Sequence, residues 1–222
     1  VKIFNELEVD EIMFLDIYSS LKNNKLNYDL LKDVSSEAFM PLSYGGNIQS
    51  LEEAKKIFSL GFEKIVINSA NFSDKNLIAK ISKYFGSQSI IASVDVRKKI
   101  FFNGYSVFSH NGKKRQNVNL VDYLNLLENE GAGEILITSI DYDGTWSGYD
   151  IELLSMVTAT VNVPVIANGG ALNIDSIDKA LFMGNASACA VGSMVLFQKK
   201  NNGVLINFPK SESIEKVFNK KR

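Results

Sequence analysis

The chain has 222 residues, 45% hydrophobic and 22% charged, an ordinary globular composition with enough length for one large domain. Lys plus Arg number 24 against 25 Asp plus Glu, a net charge of −1, so the basic excess of a nucleic-acid or membrane-surface binder is missing. The lone Cys189 excludes a disulfide framework and reads as a buried hydrophobe in a reducing cytoplasm. No apolar run approaches the ~18 to 20 residues that span a bilayer, which leaves a cytoplasmic protein whose partners are small molecules or other proteins.

In chain order, residues 1–14 mix charged and apolar residues at helical spacing, of which 1–8 would be the rest of a first helix, and residues 12–16 and 40–44 are short apolar runs of strand type. Residues 50–60 (SLEEAKKIFSL) place Leu51, Ala54, Ile57 and Phe58 on one stripe and stop at Gly61, which describes a helix with a C-terminal glycine. Residues 64–68 and 90–95 are the third and fourth strands. Asn103-Gly104 then sits between IFF and YSVFS, predicting a type I′ hairpin over residues 98–110 at the rim. Further helices are predicted over residues 122–130, 150–158 and 174–183, alternating with strands over residues 134–140, 163–167 and 188–191. Each of the seven strands is too continuously apolar to be half exposed, so the pattern is one of parallel strands joined by crossover helices.

The chain also repeats itself. Residues 41–69 read PLSYGGNIQSLEEAKKIFSLGFEKIVINS and residues 164–193 read PVIANGGALNIDSIDKALFMGNASACAVGS, about 124 residues apart. LDIYSS at Leu15 likewise recurs as SIDYDGT at Ser139. Two similar halves imply an α/β fold, a (βα)₈ TIM barrel of duplicated half-barrels forming a single domain over residues 1–222. The strand ending at Asp95 has no counterpart in the first half, so the first strand is expected to lie upstream of Val1.

Barrel chemistry gathers where the strands end. Those ends present Asp16, Gly45-Gly46, Asn68-Ser69, Asp95, Asp141, Asp143-Gly144, Gly169-Gly170 and Gly192-Ser193. Each glycine pair is either a tight turn or a place where backbone N–H groups meet an anion, and its recurrence in both halves predicts two anion sites for a substrate with two phosphates. Asp95, closing IIASVD, is the candidate proton-transfer group, against a helix-capping reading. Asp16 and Asp141 occupy matching places, either orienting substrate or anchoring loops, and Asp143-Gly144 is either a turn or a phosphate contact. His110, the only histidine, rules out a His-rich metal site and reads as a solvated loop residue; no metal or cofactor is expected. Trp146 either stacks on substrate or covers the rim, and Lys113-Lys114-Arg115 is either solvated surface or a steering patch. At the opposite face Glu11, Lys64 and Glu134 each begin a strand, forming either a salt-bridged ring or surface positions.

Together VDEIMFLDI, YGGNI, EKIVINSA, FGSQSIIASVD, GAGEILITSIDYDGTWSGYD and VPVIANGGA run nearly end to end and resemble the cyclase subunit of imidazole glycerol phosphate synthase, the HisF type. The resemblance implies a partner, a HisH-type glutaminase that supplies ammonia in a heterodimer. It also implies a reaction that splits and cyclises a bisphosphorylated, ribulose-containing substrate to imidazole glycerol phosphate and an aminoimidazole carboxamide ribotide. Asp95 would be one of two catalytic aspartates, the other belonging to the upstream strand. Asn68 and Ser69 would serve one phosphate, Asp143, Gly144, Gly170, Gly192 and Ser193 the other, and Glu11, Lys64 and Glu134 a charged ammonia gate. Asn47 stands where the family has a third glycine and Asn168 where it has a small residue. SSEAFMPLSYGGNI and NNGVLINFP are similar to a WbuZ-type branch that supplies ammonia for acetamidino-sugar formation in surface polysaccharide or flagellar glycan. A noncatalytic phosphate-binding scaffold for a glutaminase is the third reading.

Overall fold

The computed structural model describes residues 1–17, 26–100, 103–197 and 203–219. After helix α1 (Lys2–Glu6) come β1 (Ile12–Leu15), α2 (Tyr28–Glu37), β2 (Leu42–Gly45), α3 (Leu51–Ser59), β3 (Lys64–Ile67) and, past a 3₁₀ turn at Ser69–Phe72, α4 (Leu77–Phe85). The chain continues with β4 (Ile90–Lys98), β5 (Tyr105–Ser109), β6 (Lys114–Arg115), α5 (Leu120–Asn129), β7 (Glu134–Ser139), α6 (Ile151–Thr158), β8 (Val165–Asn168), α7 (Ile174–Phe182), β9 (Ala188–Cys189), α8 (Ser193–Leu196) and α9 (Ser211–Asn219). Seven parallel strands lie in the order β1-β2-β3-β4-β7-β8-β9, with β5 and β6 added to β4 as an antiparallel hairpin. This curled parallel sheet with crossover helices is the α/β barrel-type fold expected from the alternation and the repeat. Among the described residues β1 and β9 each pair on one side only. No described helix is long and apolar enough to cross a membrane.

The sheet has two differently occupied faces because strand side chains alternate. Ile65, Ile67, Ala92, Val94, Ile135, Ile137 and Val165 pack outward with Ala54, Ile57, Ile81, Leu124, Leu127 and Val157 of the helices, each large side chain contributing about 1.5–3 kcal/mol by burial. The other parity, Met13, Val66, Ile91, Leu136, Ile166 and Ala190, forms a separate cluster, which is the packed barrel interior. Polar side chains start the helices: Ser50 accepts from Glu53 N–H, Asp150 from Leu153 N–H, and Asn173 with Ser176 closes a capping box.

All seven predicted strands form, but two local expectations fail. β4 runs on to Lys98, and Lys98 pairs with Tyr105, while Lys99 N–H donates to Gly104 O. The pairing is therefore centred two residues before the Asn103-Gly104 turn that was expected; Phe101 and Phe102 lie outside the described residues. Packing sets this register, since it pairs Val96 with Val107, both fully buried, whereas a turn centred on Asn103-Gly104 would bring Asn111 opposite Val96. Cys189 is only partly buried, since among the described residues β9 has a neighbouring strand on one side alone.

Candidate active site

At the C-terminal ends of the strands, a cavity of about 630 Å³ opens over Asp95, with Asp16, Asn68, Thr138 and Asn168 among its walls. Register explains the floor. Asp95 pairs with Thr138 and Thr138 with Asn168, so three interior side chains stand in one row across β4, β7 and β8. Asn168 Nδ2 donates to Thr138 Oγ1 at 3.0 Å. Loss of water pushes the Asp95 carboxyl up from 3.8 to about 6, with the Asp143 charge adding to the rise, while hydrogen bonds from Asn68 and Thr138 oppose it. A carboxyl in that range exchanges protons at neutral pH, as acid/base work requires.

The two halves bring matching backbone to this floor. Gly46, Asn47, Asn68 and Ser69 line the large cavity. Asp143, Gly144, Gly169, Gly170, Gly192 and Ser193 line a second cavity of about 110 Å³ beside it, and Asp143 and Asn168 border both. Asn68 enters its 3₁₀ turn at φ −125°, ψ −90°, and Gly192 enters α8 at φ −115°, ψ −86°. The sequence repeat thus extends to the backbone bend after β3 and β9. The small cavity depends on glycine: at Gly170, φ is +101° and a Cβ would stand 2.2 Å from Gly148 O. Gly170→Ala is expected to destabilise the fold by about 2–4 kcal/mol and to distort the small cavity, measurable as a lowered denaturation midpoint.

The hairpin forms one wall. His110, an exposed residue at φ +54°, lines the large cavity with Asn111 and Lys113. Its N–H donates to Ser69 Oγ at 2.8 Å, and its Nδ1 lies 2.7 Å from Ser109 Oγ. The loop placement agrees with the sequence, but the hydrogen bond to Ser69 had no local signature. Asp141 stands apart from both cavities' linings; it accepts Lys98 N–H at 3.1 Å and lies 3.8 Å from Arg97 Nε, an anchor for the hairpin. Asp16 lines the large cavity, so these matched residues have diverged. Trp146 lines the small cavity. Thr138 was not singled out from the sequence, although period-two counting from Glu134 through Leu136 puts it on the inside.

At the N-terminal ends, Lys64 Nζ lies 2.9 Å from both Glu11 Oε2 and Glu134 Oε1. Burial opposes the Lys64 charge, yet hydrogen bonds with Glu134 and Glu11 outweigh it and hold the ammonium pKa above its usual value. Three buried oxygens on interior-facing positions have no hydrogen-bond partner among the described residues: Glu11 Oε1 at the bottom, Ser43 Oγ in the middle and Asn68 Oδ1 beside Asp95.

The family model described as histidine biosynthesis protein matches residues 1–201. A Pseudomonas aeruginosa protein named "Putative imidazole glycerol phosphate synthase subunit hisF2" is 46% identical over 209 residues, covering 94% of this chain and 83% of its own. The "Imidazole glycerol phosphate synthase subunit HisF" of Chlorobaculum tepidum is 39% identical over 197 residues, covering 89% and 78%. A similarly named protein of Leptospira interrogans, "Putative imidazole glycerol phosphate synthase subunit HisF", is 37% identical over 218 residues, covering 98% and 86%.

Proposed function

Because the chain belongs to the histidine biosynthesis protein family, we propose that it is a HisF-type cyclase/lyase subunit acting on a bisphosphorylated substrate with ammonia from a glutaminase partner. The observation that carries this reading is Asp95, a carboxyl titrating at about 6 and flanked by strand ends of similar backbone from the two halves. Asn68, Ser69, Gly46 and Asn47 hold one phosphate, and Asp143, Gly144, Gly169, Gly170, Gly192 and Ser193 the other. Asp95 moves protons between them as bonds are made and broken, and Asp16 orients the substrate.

Ammonia enters between Glu11, Lys64 and Glu134. The unpartnered oxygens of Glu11, Ser43 and Asn68 support an interior route, since ammonia has N–H donors to offer each in turn. A HisH-type glutaminase covers that face. The assay is the protein with the ribulose-containing bisphosphate and ammonium salt. Release of imidazole glycerol phosphate and the ribotide is expected, and a folded protein with no turnover would refute the cyclase reading.

A second reading has its own support. Asn168 lines both cavities, where the resemblance implied a small residue. In that reading the chain passes ammonia to an enzyme that amidates a sugar, and its glutaminase complex is active without consuming the bisphosphate.

A further inference from the structure

The order of donors and acceptors along the row under the large cavity is fixed from one end. Asn168 Nδ2 donates to Thr138 Oγ1 at 3.0 Å, and Thr138 stands opposite Asp95 in the pairing of β4 with β7, where its hydroxyl lowers the Asp95 pKa. A hydroxyl has one proton and two lone pairs. With a lone pair engaged by the Asn168 amide, the Thr138 proton is directed to the Asp95 carboxylate.

We propose that Asn168 is a positioning residue that fixes the Thr138 hydroxyl as a donor to Asp95, and so keeps that carboxylate charged and aimed into the cavity. The inference rests on Asp95 as the acid/base group, and Asn168 acts on it only through Thr138. Its place suits the task. Thr138 is buried at 9% exposure, so water competes poorly for its hydroxyl, and Asn168 is held between the two cavities with Gly169-Gly170 following directly. The other groups facing Asp95 act on it whatever stands at position 168. Asn68, just past β3, donates a hydrogen bond, Asp143 beyond β7 repels, the Tyr123 phenol of α5 feels its charge, and Asp16, Asp74, His110 and Lys113 line the same cavity.

The test is an NMR titration of the Asp95 carboxyl carbon in wild type, Asn168→Ala, Asn168→Ser, Thr138→Val and the Thr138→Val/Asn168→Ala double variant. Asn168→Ala should move the midpoint from about 6 upward by about half to one pH unit. Serine, which still donates across a strand pair, should restore most of it. Thr138→Val should also raise the midpoint, and adding Asn168→Ala to it should add nothing. An unmoved midpoint in folded Asn168→Ala, or additive effects in the double variant, would overturn the relay. Turnover separates the two ideas: a midpoint that moves while the pH profile of kcat stays in place supports the relay and removes Asp95 from the chemistry.

Discussion

Lys64→Met is expected to cut glutamine-dependent turnover about tenfold or more, while turnover on added ammonium salt stays within about twofold of the wild type. The ammonium group of Lys64 holds Glu11 and Glu134 together, each 2.9 Å away, at the bottom of the barrel. Methionine fills similar space without charge, so two carboxylates face each other and the ring proposed to admit ammonia loses its order. Ammonium in the medium supplies ammonia at the open end instead, where Asp95 lies. Parallel rate measurements with glutamine and with ammonium salt check the split, and equal loss of both would contradict the gate. The pair is about one-fifth to one-quarter exposed, so losing its cation should cost about 1–3 kcal/mol of stability. Because the folded Lys64 pKa is raised, the stabilisation is full below the ordinary lysine pKa and fades only as pH climbs past the raised one. Between pH 6 and 9 the deficit of the variant should therefore be flat.

Asp95→Asn should behave in the opposite sense on stability and more severely on rate. Removing a general acid/base lowers kcat by about 10²–10⁴. Yet the native carboxyl is pushed from 3.8 to about 6 by burial, so ionising it costs the fold about 3 kcal/mol. The cost is absent below about pH 4, grows as pH rises toward about 6, and is constant above that. Asparagine carries no such charge, and the variant should be more stable than wild type by about 3 kcal/mol at pH 7–8, the gain vanishing near pH 4. Denaturant melts at pH 4 and pH 7.5 check this. A variant no more stable at the higher pH would show that the carboxyl is better solvated than its surroundings suggest.

Both residues were legible in the sequence because the barrel makes position along a strand equivalent to height in the molecule. Lys64 begins KIVINS and Asp95 ends IIASVD, and strand period and repeat suffice to send one to the bottom and the other to the top. What lay beyond reach was lateral. Thr138 and Asn168 belong to strands about thirty residues apart, and only sheet register brings them together. The hairpin misled for a related reason: Asn103-Gly104 is a strong local turn signal, but burying Val96 against Val107 outweighs any preference of two loop residues. Asp16 and Asp141 look interchangeable in the repeat, and their fates diverged because the hairpin that follows the fourth strand draws Asp141 to Lys98 and Arg97.

The hydrogen bond from His110 N–H to Ser69 Oγ has a thermodynamic consequence. By accepting there, the Ser69 hydroxyl keeps its single proton for an anion at Asn68-Ser69. One oxygen thereby joins the seating of the hairpin to occupancy of the proposed first phosphate site. Linkage is reciprocal: by whatever factor the seated hairpin tightens the anion, the anion tightens the hairpin by the same factor.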